Sequence, residues 1–376
     1  MKVIIDNKIP YIKGALEPFA EVVYLPGNLV TAEAVRDADA LVTRTRTPCD
    51  RELLEGSTVS FIATATIGFD HIDTAYCDSA GIRWANAPGC NAESVNQYVS
   101  SALCSYARRK GFDLAGKTIG IVGVGHVGSR VARTCSILGM EVLLNDPPRE
   151  RAEGSSKFVP LETIREQADI ITFHVPLNTH GIDRTHHMVS AEFLRGLMKN
   201  PLVINTCRGE VFETMAVLNA RRSGALEGII IDCWENEPEP DAGLLNMADY
   251  GTPHIAGYSR DGKATGTKMS VRAVSRFFGL GIDDWQPSDV EPPSNPVIEL
   301  DGNNRSGELV LADAILSTYE IERDDRALRK NPGSFEQLRG DYPVRREFDS
   351  FSVRAVNVEA AVIQKLLELG FNKLKY

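Results

Sequence analysis

The sequence predicts an α/β protein with two doubly wound parallel-sheet domains, followed by a small α+β domain. Three observations carry that reading. Short apolar, β-branched runs alternate with helical segments as far as Ile282. A glycine-rich turn lies between a strand and an amphipathic helix near the middle of the chain. The composition then changes at Asp283–Pro296, "DDWQPSDVEPPSNP", which is rich in proline and acid as an inter-domain linker is. At 376 residues the chain is long enough for two or three domains, each with its own core.

Taken in order, "KVIID", "EVVYL", "ADALVTR" and "VSFIATAT" read as strands, because each is apolar and rich in branched side chains. The helical stretches between them favour parallel pairing. "KTIGIV" and "EVLLN" open a second α/β unit, which "DIITFHVP", "LVINTC" and "GIIIDCW" extend. Beyond the linker, "PVIEL" reads as a strand, one long helix is expected from Glu308 towards Arg329, and a last helix at "EAAVIQKLLELG".

Composition limits the function classes. Hydrophobic residues make up 43% and charged residues 24%, values of a soluble globular protein. The net charge of −10 argues against a nucleic-acid binder, which needs a basic face to neutralise phosphates. It leaves room for a small anionic substrate, because local arginines outweigh charges screened beyond about 8 Å. Cys49, Cys77, Cys90, Cys104, Cys135, Cys207 and Cys233 are scattered, with no C-x-x-C pair, and are expected to be buried thiols in a reducing compartment. No apolar run reaches the roughly 18 residues of a membrane span. The start, "MKVIIDNKIP", is expected to be a first strand rather than a signal peptide, so a cytoplasmic location is expected.

Gly123, Gly125 and Gly128 directly follow "KTIGIV" and precede a segment whose Val127, Val131, Cys135 and Leu138 share one helical face. "EVLLN" then ends in Asp146, eighteen residues past Gly128. Each part has a task at a dinucleotide. The glycines let the backbone turn tightly and approach the pyrophosphate, and the helix N-terminus offers free N–H groups to the anion. Asp146 can accept bonds from the ribose hydroxyls and would repel a 2′-phosphate, which favours NAD; Arg149 and Arg151 follow closely and could soften that choice. His126 and Val127 join the three glycines as expected cofactor contacts.

Three polar groups follow strands, where an α/β sheet places its chemistry. They are Arg208 after "LVINTC", Glu237 after "GIIIDCW" and His254 after "YGTP". Oxidising a 2-hydroxy acid needs a cation to hold the carboxylate, a base for the hydroxyl proton, and a carboxylate to orient that base. Arginine meets a carboxylate bidentately, and histidine has an ordinary pKa of about 6.5, near working pH.

"INTCRGE", "DCWENEP" and "TPHIAGYS", with "GFDHID" and "NAPGCNAESVNQYV", resemble the signatures of the D-isomer-specific 2-hydroxyacid dehydrogenases. The resemblance implies a flavodoxin-like substrate domain split between residues 1–95 and 257–282, a Rossmann NAD domain at 96–256, and a C-terminal domain at 283–376. It implies that Arg208 binds substrate, Glu237 supports the histidine and His254 is the acid–base. Val175, Thr206, Cys207, Arg208, Asp232 and Gly257 would lie on the cofactor side. A closer likeness, carried by "DNKIPY", "APGCNAESV", "VPLNTHGIDRTHHM", "HIAGYSRDGKATGT" and "LRGDYPVRREF", is to the branch that oxidises 4-phospho-D-erythronate in vitamin B6 biosynthesis. Members of that branch are homodimers through the C-terminal domain.

That chemistry asks for a phosphate site. Arg44, Thr45 and Thr66 are the expected substrate contacts, with Tyr258 in the catalytic loop; Arg46 and Arg260 remain open. Thr45 stands where that branch usually has serine. The other readings are a 3-phosphoglycerate or hydroxypyruvate dehydrogenase and, in a different class, a dinucleotide-sensing corepressor or scaffold on the same fold. No metal site is expected. His71 reads as a packing or capping residue, His174 is not read as a catalyst, and the neighbours His186 and His187 should point different ways on a regular element.

Overall fold

The apolar runs at the start of the chain become strands β1 (Lys2–Asp6), β2 (Glu21–Leu25), β3 (Ala40–Thr43) and β4 (Phe61–Thr64), joined by β5 (Arg83–Ala85). All pair in parallel, in the order β2-β1-β3-β4-β5. In the computed structural model, which describes residues 1–154 and 156–374, every residue of β3 and β4 is buried. That is the pattern of a parallel sheet covered on both faces. Val3, Ile5, Val42 and Ala63 pack towards Val271 and Val274 of the Arg260–Phe278 helix. Ile4, Leu41 and Ile62 face the other way, towards Val35, Leu54 and Cys77.

The second sheet contains β6 (Thr118–Val122), β7 (Glu141–Asn145), β8 (Ile170–Phe173), β9 (Leu202–Asn205), β10 (Gly228–Ile231) and β11 (Tyr250–Gly251). Its order, β11-β10-β9-β8-β6-β7, reverses between β6 and β8. In the first sheet the reversal falls between β1 and β3. Crevices at the carboxyl ends of strands flanking such a reversal are where open α/β sheets bind ligands.

The C-terminal part has its own parallel sheet of β12 (Val297–Asp301), β13 (Ser352–Val356) and β14 (Asn372–Lys373). The single long helix expected from Glu308 is two helices, Gly307–Thr318 and Ile321–Lys330. The break is at Tyr319, which is extended (φ −155°, ψ 128°). Its buried hydroxyl donates to Asp324 (3.1 Å) and its carbonyl accepts from Ser101 Oγ (2.7 Å), contacts that replace the next helical turn.

The chain divides into two compact units rather than the three domains expected, one of residues 1–91 with 259–291 and one of 92–258 with 292–376. The C-terminal part joins the second unit because it shares a core with it. The Ala92–Lys110 helix is buried on every side from Ser94 to Ala107. Val95, Val99 and Leu103 fall in one apolar cluster with Ile298, Val310 and Ile315. All seven cysteines are free and buried.

Candidate active site

The three glycines have three different surroundings. Gly123, at the end of β6, has φ +87°, and a Cβ there would lie 2.6 Å from His174 O and 2.9 Å from Val175 Cγ1. The ends of β6 and β8 therefore meet only at glycine, which sets Val175 against the turn. At Gly128 a Cβ would stand 2.0 Å from Gly123 O, so the helix packs closely on the turn. At Gly125 a Cβ would meet nothing within 4 Å. Gly125 is the N-cap of the His126–Ile137 helix and supplies no capping side chain. The helix N-terminus, with His126 exposed, thus opens onto free space beside the turn, the place a pyrophosphate needs. Asp146, after β7, accepts from Val124 N (2.8 Å) and Arg149 N (3.1 Å), which places a half-exposed carboxylate beside the turn. Arg149 and Arg151 are ion-paired with Glu153 and Asp183.

The polar groups after β9, β10 and β11 lie in the same unit, and two of them, Glu237 and His254, meet directly. His254 has φ +54°, a left-handed conformation that costs a residue with a Cβ on the order of 1 kcal/mol. Its N–H donates to Asp232 O (2.8 Å) and Thr252 O (3.0 Å). Its ring Nδ1 lies 2.8 and 3.0 Å from the two oxygens of Glu237. A carboxylate only accepts, so Nδ1 carries the hydrogen and Nε2 is left with its lone pair, able to take a proton. Burial of Glu237 works to raise its pKa. The His254 ring N–H, the Trp234 N–H (2.8 Å) and the Arg339 charge outweigh that and hold it below the ordinary carboxylate value.

Asp232 sets the loop that carries His254. It is fully buried, and its oxygens accept from Thr252 Oγ1 (2.6 Å), Ile255 N (2.8 Å) and Ala256 N (2.8 Å). Tyr98 hydroxyl, at 2.7 Å, donates to the same Thr252 hydroxyl. Gly209 ties the loops after β9 and β10, since a Cβ there would be 1.9 Å from Trp234 O. Arg208, just before it, accepts at its carbonyl from Asn205 Nδ2 (2.9 Å) and donates from Nη1 to Cys207 O (2.8 Å). Burial pushes the Cys207 thiol up to about 11, so it is protonated at neutral pH. Cys233, Glu237 and His254 also offer a thiol, a carboxylate and an imidazole within 4.8 Å of one another. Two of the three are already bonded to each other and burial keeps the thiol protonated, so the group is a dyad beside a buried cysteine.

Residues 91–256 match the family described as D-isomer specific 2-hydroxyacid dehydrogenase, NAD binding domain. Residues 291–370 match a family described as a domain of unknown function. The chain is 53% identical over 354 residues to the erythronate-4-phosphate dehydrogenase of Bacteroides fragilis, covering 94% of this chain and 99% of the relative. It is 42% identical over 375 residues to that of Edwardsiella ictaluri, covering 99% of each. The chain belongs to the erythronate-4-phosphate dehydrogenase family. A solved D-lactate dehydrogenase of Aquifex aeolicus, complexed with NAD and lactic acid, has the same architecture, with a TM-score of 0.60 at 25% identity over 78% of this chain and all of that one.

As a member of the erythronate-4-phosphate dehydrogenases the protein is an NAD-dependent enzyme acting on a CH–OH group. Its glycine turn fits that cofactor on the geometry above. Thr206 Oγ1 lies 3.3 Å from His174 Nδ1, and His174 Nε2 lies 3.1 Å from Thr172 Oγ1. Burial pushes the His174 pKa down to about 3, so this histidine is a neutral bridge that orients Thr206. Sequence reasoning set it aside as a catalyst and did not see this role. Gly257 and Tyr258 are half-buried and continue the catalytic loop, and Tyr258 N–H donates to Ile255 O (2.9 Å).

In the first unit, Arg44 and Thr45 follow β3 and Thr66 follows β4, the adjacent strand. Arg44 Nε donates to Asp6 Oδ2 (3.2 Å), and Asp6 is buried at the end of β1, so this pair sits at the β1/β3 reversal. Thr45 and Arg46 are exposed. The Thr66 hydroxyl donates to Gly68 O (2.8 Å). Arg260 Nε lies 3.8 Å from Glu291. Of the two readings of His71 the structure favours packing, because Asp73 caps the helix at Thr74 and both His71 ring nitrogens are buried with no hydrogen-bond partner among the described residues. The reading of the histidine pair needs correction. His186 and His187 do share a face, with ring centroids 4.0 Å apart, because His187 has φ +53° and the pair is on no regular element. His187 Nε2 lies 2.6 Å from Glu235.

Proposed function

We propose that the protein oxidises 4-phospho-D-erythronate at C2 to 2-oxo-3-hydroxy-4-phosphobutanoate, in the biosynthesis of pyridoxal 5′-phosphate. The observation that carries this reading is the His254–Glu237 dyad, with Nδ1 tied to a carboxylate and Nε2 left for proton transfer. NAD, when bound, supplies the hydride acceptor. His254 takes the C2-hydroxyl proton, Glu237 stabilises the imidazolium that results, and Arg208 holds the substrate carboxylate. Gly123, Gly125, His126, Val127 and Gly128 receive the pyrophosphate, Asp146 the ribose, and Val175, Thr206, Cys207, Asp232 and Gly257 bound the nicotinamide side. Arg44 and Thr45 take the phosphate, with Thr66 and Tyr258 as further substrate contacts. The support for Arg44 is its place at the β1/β3 reversal.

Purified protein should form NADH from NAD and 4-phosphoerythronate, and should prefer that substrate to 3-phosphoglycerate, glycerate and lactate. No turnover of 4-phosphoerythronate with clear turnover of another of these would overturn the assignment. His254→Ala should lose several orders of magnitude in turnover while still binding NAD. The protein is further proposed to be a cytoplasmic homodimer through residues 283–376, so the same preparation should sediment at twice the chain mass of 41.2 kDa.

A further inference from the structure

The segment Leu338–Phe348 carries "LRGDYPVRREF", a motif to which the proton-transfer chemistry above gives no task beyond the Arg339 charge acting on Glu237. Its Arg345 is almost entirely buried, with 3% of its surface exposed. A guanidinium in such a place must have strong partners, because burying an uncompensated charge is costly. Two tyrosine rings flank it, Tyr319 at 4.7 Å and Tyr342 at 5.7 Å. The Tyr342 hydroxyl, 3.4 Å from Arg345 Nη1, donates to buried Asp324 (2.7 Å). The remaining contacts lead to the catalytic loop. Arg345 Nη2 donates to Ala256 O and to Ser94 Oγ, and Ser94 Oγ itself donates to Ala256 O at 2.8 Å.

The Ala256 peptides are therefore clamped at both ends. Asp232 accepts the Ala256 N–H, while Ser94 and Arg345 hold the carbonyl. His254, with its left-handed backbone, is two residues before this clamp, and Tyr258 is two residues after it. The same segment also touches Tyr258. Tyr342 packs edge-on against its ring at 5.9 Å, and the Arg339 guanidinium lies 5.6 Å from it.

We propose that Arg345 is a positioning residue for the dehydrogenase reaction, through which the C-terminal part fixes the loop bearing His254 and Tyr258. This gives residues 291–370 a part in catalysis within their own chain. The inference rests on His254 being the acid–base, and the two fail separately in one set of assays. If wild type turns over 4-phosphoerythronate and His254→Ala does not, the proton-transfer reading stands, and the variants below test Arg345 alone.

In full-length protein, Arg345→Met should lower kcat about thirtyfold, because a shift of about 1 Å in a catalytic group costs on the order of a hundredfold. The NAD dissociation constant and the substrate KM should stay within about threefold of wild type. Arg345→Lys, which retains a cation and a donor towards Ala256 O, should recover most of the loss. A kcat within threefold of wild type for Arg345→Met, or equal losses in the Met and Lys variants, would assign the residue to packing alone and overturn the proposal. If Arg345→Met does not fold, Ser94→Ala decides, since it removes the other donor to the same carbonyl while leaving the guanidinium in place. A kcat lowered at least threefold at unchanged KM supports the clamp; an unchanged kcat overturns it.

Discussion

His254 differs from an ordinary loop histidine in the state of one nitrogen. Its Nδ1–H is bound by a carboxylate that the fold keeps ionised, so the ring is held in a single tautomer. Replacing Glu237 by Gln keeps the shape and removes the charge that stabilises the imidazolium. Turnover should fall about 10²- to 10³-fold with little change in NAD binding, measured by single-turnover formation of NADH. The sign of the pH effect on stability follows from the lowered pKa of Glu237. A depressed carboxylate contributes stability that is present above its ordinary value of 4.5 and lost as pH falls through the folded value. Glu237→Gln should therefore flatten the acid side of a plot of thermal midpoint against pH; an unchanged acid slope would show that the charge of Glu237 does not matter to folding. At this scale the sequence is legible where chemistry marks a residue, as at Glu237 and His254, which the fold brings into contact. It gives Asp232 only a place on the cofactor side, by resemblance, and does not reveal that its carboxylate holds the backbone N–H groups of Ile255 and Ala256 after the next strand. Nor does it reveal His174, whose neutrality comes from the protein packed around it.

Among the elements, the glycine turn allows two readings of one motif to be separated. Gly125 borders open space at φ −74°, where any residue is comfortable, whereas a Cβ at Gly128 would overlap backbone that cannot move aside. Gly125→Ala should leave the melting temperature of the cofactor-free protein within about 2 °C and weaken NAD tenfold or more, because the methyl enters the pyrophosphate cradle. Gly128→Ala should lower that melting temperature by about 4–10 °C, the consequence of overpacking by 1–3 kcal/mol in a unit of this size. Calorimetry without cofactor and titration with NAD distinguish the two. A melting temperature lowered equally in both would show that the space at Gly125 is not a ligand site. Strands rich in valine and isoleucine are legible because burial on both faces demands them, as in β3, β4 and β8 to β10. By contrast β5, β11 and β14 are three, two and two residues long, too short for any periodicity to show. In β13, SVRAV, only Val353 is buried and Arg354 interrupts the apolar residues, so the run does not stand out. The helix expected from Glu308 failed at Tyr319 for a tertiary reason, a carbonyl claimed by Ser101 across the core.

For the whole molecule, composition marked a change at Asp283–Pro296 but could not tell which core the C-terminal part would join. That depends on contacts far apart in sequence. Ser101 donates to Tyr319 O, Gln97 donates to Arg346 O, and Gly251 N–H, at the end of β11, donates to Asp325 (2.7 Å). Arg329 donates to Leu245 O (2.6 Å) and Ala248 O (2.8 Å), satisfying carbonyls at the end of the Ala242–Met247 helix. A polar helix face such as Ser94, Gln97, Ser101 and Ser105 is buried in the intact chain only because these partners come from beyond residue 291. A chain ended after Glu291 would keep the glycine turn and the dyad but expose that helix together with Val95, Val99 and Leu103, which lie in one cluster with Ile298, Val310 and Ile315. Such an apolar surface favours association over a monomeric fold. The truncated chain should bind a hydrophobic dye, lose a cooperative thermal transition and fail to bind NAD at the affinity of the full chain. A sharp transition with full NAD affinity would instead show that residues 92–258 fold alone, and that the shared core serves only to attach the C-terminal part.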